Sequence, residues 1–419
     1  MRTLMTQSWL LVTLVLAGAG FAAESVTLVS IAALVFGTGG AARLWARLSL
    51  DRVTFNRRVS ERRVFVGESV DVRLAVENGK TLPVPWLELR ETLPRGMPAS
   101  AKTNIGHAAN TQVLSRSTSL AGNDRIEWPV TLRAVHRGYF RVGPGRLRSG
   151  DLFGFFEREE PVGSPADVVI VYPRTYTLAD LGLDSARPFG DLRGGNRIFE
   201  DPSRVAGVRD YEPGDAMRRV DWYATARLGR LQSRLYEPSR SQSLVIALNI
   251  PTFEHSWQGS DPVLLERGIA VAASVARWAS EEHYAVGLVA NGSFPDADRT
   301  IYLGAGRRPD QVNRILEALA TVTAFTTSAM STALEDPRHP IPGGATVVVV
   351  AAVMPDELAG TLNRLRAEGH RVHVLKTSPG AWQAPLDRVP VTDVSGTMAV
   401  LEHEAIEAGI MAVPGGVMP

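Results

Sequence analysis

The sequence predicts an α/β domain built on an open, Rossmann-like sheet, preceded by an all-β sandwich domain and an N-terminal transmembrane helical hairpin. Three patterns in the 419 residues lead there. Two apolar runs open the chain, short alternating runs broken by Gly, Pro and Asn fill residues 53–174, and strand-like and helix-like segments alternate from Ser243 onward. The matching boundaries are 1–48 for the hairpin, 49–175 for the sandwich, 176–242 for a linker carrying a charged signature, 243–400 for the α/β domain and 401–419 for a C-terminal tail.

Residues 9–23 are almost wholly apolar, Glu24-Ser25 interrupts, and residues 26–42 are apolar again. Each run sits near the short end of the roughly 17–25 residues that cross a bilayer as a helix. Arg2 precedes the first run, while Arg43, Arg47, Arg52, Arg57 and Arg58 follow the second, and Glu24 is the charge between them. Positive flanks stay on the cytoplasmic side, so the expectation is a multi-pass anchor in the cytoplasmic membrane with the remaining domains in the cytoplasm. The arginines of 43–63 also suit anionic headgroups. A cleaved signal peptide competes, with Arg2 as its basic end and residues 9–21 as its apolar core. Against it, Phe21 would occupy a position before the cut after Ala23 where a small residue is needed, and a second apolar run follows at once.

Alternation in Ser69-Val70-Asp71-Val72-Arg73-Leu74-Ala75-Val76 and in Trp128-Pro129-Val130-Thr131-Leu132 predicts antiparallel strands. Such runs recur about every ten residues without a long helix between them, which suits a β-sandwich or small barrel. Phe153, Phe155 and Phe156 beside Gly154 are expected as core or as an interdomain plug, because large aromatics are usually buried. Residues 176–207 are rich in Gly, Pro and Arg and predict an extended loop. No Gly-Lys-Ser/Thr follows Gly194-Gly195, so a phosphate loop is not expected there.

In the α/β region the strands are expected at 244–250, 285–290, 345–353 and 371–375, and the helices at 264–281, 309–322 and 356–368. That order specifies a largely parallel sheet with helices on both faces. Residues 413–419 read as a frayed end.

Basic and acidic residues number 45 and 44, for a net charge of +1, so no global field points to nucleic acid or an acidic substrate. The absence of cysteine excludes disulfides and thiolate metal sites. His370 and His373, three apart at the start of a strand, point to opposite faces and should not share a metal. There is no Gly-x-Ser-x-Gly elbow, His-Glu-x-x-His helix or Gly-x-x-x-x-Gly-Lys-Ser/Thr loop to suggest hydrolase, metalloprotease or ATPase chemistry.

The densest segment is Arg209-Asp210-Tyr211-Glu212-Pro213-Gly214-Asp215, followed by Arg218, Arg219, Asp221, Trp222, Ala226 and Arg227. The Pro213-Gly214 turn is expected to open a short helix that Asp215 caps and Gly229 ends. Positions 215, 218, 222 and 226 would then share one helical face. Such a face suits an ion-pair corner with Trp222 packed beneath it, so that Trp222→Ala costs roughly 3–5 kcal/mol, or a docking surface. A hydrolase using Asp215 and Asp221 as acid and base is the enzymatic alternative. Arg209 and Arg227 nearby would lower those carboxylates and make them poor proton donors.

With Val208 before it and Arg234-Leu235-Tyr236-Glu237 after, this segment resembles the Domain of Unknown Function 58 family. Arg137-Gly138-Tyr139-Phe140 with Gly143-Pro144, then Asp151-Leu152-Phe153-Gly154-Phe155-Phe156, and Val171-Tyr172-Pro173-Arg174 extend the resemblance over nearly the whole chain. It implies a bacterial membrane-associated protein with a von Willebrand factor A-like C-terminal domain and a MoxR-type AAA+ ATPase as partner, in complex assembly or maturation. The family has no defined biochemical activity. In von Willebrand A domains the first strand ends in Asp-x-Ser-x-Ser, whose oxygens, with a threonine and an aspartate from later loops, hold a divalent ion. Here Asn249, Pro251 and Phe253 replace the three, and Asp356 comes late after the third strand. The expectation is therefore a degenerate ion site with no metal and no cofactor, in a non-enzymatic scaffold whose oligomeric state stays open. A metal-dependent ligand-binding protein with a rearranged site at Asn249 and Thr252 is the alternative.

Overall fold

The computed structural model describes residues 2–106, 108–183, 188–189, 200–212, 215, 217–238, 243–293 and 299–411. Gly190, Arg193, Gly194 and Gly195 of the expected loop, Pro213 and Gly214 of the signature, and residues 413–419 of the expected frayed end lie outside the described residues. The chain divides into two compact units, residues 1–173 with 405–412, and residues 174–404 with 413–419.

The first unit begins with α1 (Arg2–Ala22) and α2 (Val26–Ser49), joined by a turn in which Glu24 adopts φ 48°. The helices pack closely where glycine allows it: a Cβ on Gly39 would fall 2.5 Å from the Trp9 ring. Leu11, Leu14, Phe21, Leu34 and Phe36 face outward, so the hairpin carries an apolar shell. Val26–Ser49 is long and apolar enough to cross a membrane, whereas the apolar part of α1, Trp9–Ala22, is shorter.

Eleven strands follow. They are β1 (Val53–Val59), β2 (Arg63–Phe65), β3 (Ser69–Asn78), β4 (Val84–Pro94), β5 (Asn104–Ile105), β6 (Thr111–Leu120), β7 (Arg125–Arg133), β8 (Gly138–Val142), β9 (Gly145–Gly150), β10 (Glu157–Val162) and β11 (Asp167–Tyr172). They form three sheets, ordered β1-β3-β7, β10-β9-β4-β6-β5 and β2-β11-β8. Alternation sets the faces: Val70, Val72, Leu74 and Val76 of β3, and Leu87, Leu89 and Leu93 of β4, enter one core with Leu114, Leu132 and Val171.

One guanidinium ties the three sheets together. Arg57 on β1 donates to Glu91 on β4 and to Asp167 on β11 at 2.8 Å, and to the carbonyls of Gly163 at 2.7 Å and Pro165 at 3.2 Å. Gly143, with φ 94°, lets it pass, since a Cβ there would meet the guanidinium at 2.2 Å. The Glu91 side chain is fully buried, and its Oε2 has no hydrogen-bond partner. Burial pushes Glu91 up to about 7, although Arg57 pulls it down. The two influences oppose each other, and desolvation is the larger because half of the carboxylate is unsolvated and unpaired.

The phenylalanine cluster departs from expectation. Phe156 is buried, but Phe153 and Phe155 are 68% and 66% exposed and stack on each other with centroids 5.8 Å apart. Asp151 dictates this: its two carboxylate oxygens accept from the amides of Phe153 and Phe156, and closing the loop that way turns the intervening side chains outward.

In the second unit, β12 (Glu200–Asp210) and β13 (Gln232–Pro238) pair antiparallel around α3 (Trp222–Leu228). The expected loop at 176–207 thus holds the first part of a strand, because Glu200↔Pro238, Val205↔Tyr236 and Gly207↔Leu235 pair, with the register shifting between them. Then come β14 (Ser243–Asn249), α4 (Pro262–Glu281), β15 (Ala285–Ala290), β16 (Ile301–Gly306), α5 (Gln311–Thr321), α6 (Met330–Leu334), β17 (Thr346–Ala351), α7 (Asp356–Ala367), β18 (Arg371–Lys376), β19 (Val391–Asp393) and α8 (Ser395–Glu407). The sheet order is β16-β15-β14-β17-β18-β19, parallel except for β16.

Strands β14, β15 and β17 read as continuous apolar runs because both faces are covered. Val245, Ala247, Val347 and Val349 pack with Met330 and Ala333 of α6 and Leu358 and Leu362 of α7. The alternate residues face α4, where Gly268 lies over Leu248. The sequence reading missed β16, α6, β19 and α8. The boundary of the expected tail at 401 is corrected, since it falls inside α8. Arg267 of α4 holds that helix by donating to both carboxylate oxygens of Glu402, at 3.0 and 2.7 Å, and to the Thr377 carbonyl at 3.1 Å.

Candidate functional site

The signature forms a cap over the end of the β12–β13 pair. Arg209 donates to Asp215 Oδ1 at 2.7 Å, the Glu212 amide donates to Asp215 Oδ2 at 3.2 Å, and the Tyr211 hydroxyl donates to the Asp215 carbonyl at 3.1 Å. Asp210 accepts from Arg230 at 2.8 Å and from the Gln232 side-chain amide at 2.6 Å. Asp221 accepts from the Ala224 amide at 3.0 Å and from Arg234 at 3.1 Å.

The helix is capped by Asp221 and not by Asp215, which corrects the sequence reading. After a 3-10 turn at Met217–Arg219 the chain straightens: Val220 bridges to Ser233, and the Asp221 amide donates to the Gln232 carbonyl at 2.9 Å. This strand-like step resets the helical phase. Positions 215 and 218 therefore share no face with 222 and 226. Gly229 ends α3 in the left-handed region as expected, at φ 70°.

The same break overturns the expected burial of Trp222. Val220, 3% exposed, is the apolar anchor, while Trp222 is 62% and Tyr223 81% exposed. Met217, Leu228, Arg218 and Arg227 are exposed as well. The roughly 3–5 kcal/mol loss expected for Trp222→Ala does not apply to a ring so placed. The partners that sequence reasoning missed, Gln232, Arg230 and Arg234, lie across the hairpin, and only the β12–β13 register identifies them.

Both acids are held below the usual carboxylate range. For Asp215 the Glu212 amide is the largest cause and Arg209 adds to it; for Asp221 the Ala224 amide leads and Arg234 follows.

The second candidate is the carboxyl end of β14, where the sheet reverses its order between β14 and β17, the position at which open α/β sheets bind ligands. Asn249 donates to the Val353 carbonyl at 3.2 Å and accepts from Asn291 at 3.1 Å. Asn291, fully buried, accepts from the Ile250 amide at 2.8 Å and donates to the Ser328 carbonyl at 3.1 Å. Thr252 accepts from the Asp261 amide at 2.7 Å, and the Asp261 carboxylate caps α4. Pro251 is half-buried, Phe253 is 37% exposed, and Asp356 opens α7 at the surface. A hard divalent ion takes six or more oxygens with carboxylates among them. This paired-amide set does not fit one. Among the described residues no three His, Asp or Glu side chains are grouped to hold a metal. His373 is buried and bonded to Thr392 at 3.0 Å, and burial pushes it down.

Residues 207–378 match the family model described as protein of unknown function DUF58. The DUF58 match begins within β12, takes in the signature and ends just past β18. It leaves the β-rich first unit outside, a shorter span than the resemblance read from the sequence. The uncharacterized protein YeaD of Bacillus subtilis is 26% identical over 198 residues, covering 46% of this chain and 47% of that protein. The match thus spans about half the relative's length. Among solved structures, the CARDB domain of PF1109 from Pyrococcus furiosus has 12% identity over 28% of this chain and 86% of its own, with a TM-score of 0.20. A non-cellulosomal cohesin from Archaeoglobus fulgidus has 12% identity over 29% and 91%, with a TM-score of 0.20. Likenesses this slight carry no structural argument.

Proposed function

We propose that this protein is a non-enzymatic, membrane-anchored adaptor that docks a MoxR-type AAA+ ATPase, or that ATPase's client, through α3. The observation that carries this reading is the outward presentation of Trp222 and Tyr223, with Arg227, on a helix fixed at both ends. Exposed Trp, Tyr and Arg are the side chains that dominate binding energy at protein interfaces. The acids of the same segment are occupied as caps and ion pairs and lie below the range useful for proton donation near neutrality, which weighs against the hydrolase reading.

The parallel sheet with an antiparallel strand at one edge supports a von Willebrand A-like domain, and the Asn249–Asn291 pair supports its use as a scaffold without a cation. Three sheets around one core support a β-sandwich. The outward apolar shell of α1 and α2, with arginines at the outer ends, supports a hairpin inserted from the cytoplasmic side.

The test is affinity purification of the full chain from native membranes under ATP, ADP and nucleotide-free conditions, beside a Trp222→Ala/Tyr223→Ala variant. An AAA+ protein should accompany the parent chain and be lost with the variant. Its absence under all three conditions, or undiminished capture by the variant, overturns the proposal.

A further inference from the structure

The 151–156 loop is built to hold apolar side chains in the open. Asp151, 1% exposed, ties its ends by accepting from the Phe153 and Phe156 amides, its own amide donates to the Phe156 carbonyl, and Gly154 turns the tip at φ 72°. Trp86 braces the base by donating to the Asp151 carbonyl at 3.0 Å. The tip presents Leu152, Phe153 and Phe155, each about two-thirds exposed. Leaving three large apolar side chains in water on a braced loop costs free energy that a polar tip would not.

The position of the loop identifies what covers it. Phe156, at the loop's end, is buried among Ala42 and Ala46 of α2 and Trp9 of α1. Arg158, two residues on, donates to Asp51 at 2.8 Å, just past the end of α2. From Val26 to Ala42 the helix rises about 24 Å, at the short end of what crosses a hydrocarbon core of about 30 Å. The loop therefore meets the hairpin where its apolar shell gives way to the exposed Arg43 and Arg47.

We propose that the 151–156 loop is a second membrane contact, inserting Leu152, Phe153 and Phe155 into the headgroup–acyl boundary of an anionic phospholipid bilayer while Arg43 and Arg47 meet its phosphates. It rests on the membrane-anchor reading of the hairpin. Two attachment points, a hairpin and a fixed apolar tip, restrict rotation of the first unit about the hairpin axis. Neither could do so alone.

The chain lacks cysteine, so a spin label reports from one chosen position. Phe155→Cys and, in the hairpin, Val15→Cys, both at exposed side chains, are labelled separately in the full chain. Each is reconstituted into phosphatidylcholine–phosphatidylglycerol vesicles, and its accessibility to oxygen and to a water-soluble nickel chelate is measured. Both labels should favour oxygen, with position 155 at interfacial depth and position 15 deeper. A lipid signature at 15 with free nickel access at 155 overturns the inference and leaves the anchor. Nickel access at both overturns the anchor reading, and the inference with it. Shielding of position 155 from both reagents means that protein covers the tip, which also overturns the inference.

Discussion

The buried Glu91 carries a pH dependence that its substitution should erase. In Glu91→Gln the volume and the contact with Arg57 are kept while the ionisable proton is removed. The folded carboxyl sits at about 7 against 4.5 for the ordinary group. A carboxyl raised on folding contributes stability that is fully present below the unfolded value and is lost as pH rises through the folded one. The interval corresponds to about 3 kcal/mol. Denaturation of the full chain in detergent, followed by amide exchange in β4, should therefore show the parent losing stability relative to Glu91→Gln between pH 4.5 and 7, by an amount of that order, with little further change above pH 8. A difference between the two proteins that is flat across this interval would refute the reasoning, because it would mean that Arg57 holds Glu91 ionised throughout.

Removing Arg57 should be more severe at neutral pH: Arg57→Met strands the buried Glu91, leaves Asp167 with Arg62 alone, and is expected to cost about 3–5 kcal/mol, read from the denaturation midpoint. Arg267→Ala leaves Glu402 buried without its cation and should cost a similar about 3–5 kcal/mol, whereas replacing both residues by Met and Leu should recover most of it. Trp222→Ala, at an exposed ring, should change stability by less than about 1 kcal/mol in the same denaturation assay; a loss of about 3 kcal/mol or more would restore the packed position that the sequence spacing suggests. Asp221→Ala should accelerate amide exchange across α3, and Asp215→Asn should not, because Asp221 alone accepts from the helix's first turn.

Long-period patterns were legible in the chain. Residues 285–290 and 356–368 read as a strand and a helix and fold as β15 and α7 to within a residue, because their apolar spacing reports burial directly. The short edge pieces β16 and β19 were not legible. β16, broken by Gly304 and Gly306, and the three-residue β19 are too short to show a period, and pairing with a neighbouring strand defines them, as when Tyr302 pairs with Val289 and Thr392 with Leu375. Helix α8 was passed over for a related reason: its hold on the domain is the Arg267–Glu402 contact, which joins residues 135 positions apart.

The candidate site divides in the same way. The charge density of 209–227 and the stop at Gly229 are local properties, readable in any chain. The capping residue, the exposure of Trp222 and the lock between Asn249 and Asn291 are not, because each depends on a strand crossing from elsewhere. The bridge between Val220 and Ser233 interrupts what spacing alone makes one helix.

By itself, then, the order of amino acids determined the layers of this protein, the apolar hairpin and the amide of Asn249 at the tip of β14. Only the tertiary structure decided which acids cap, which aromatic rings remain in solvent and which carboxylate is forced to hold its proton. Periodic burial is written residue by residue along the chain, whereas desolvation and hydrogen-bond partnership are properties of the space that distant segments enclose.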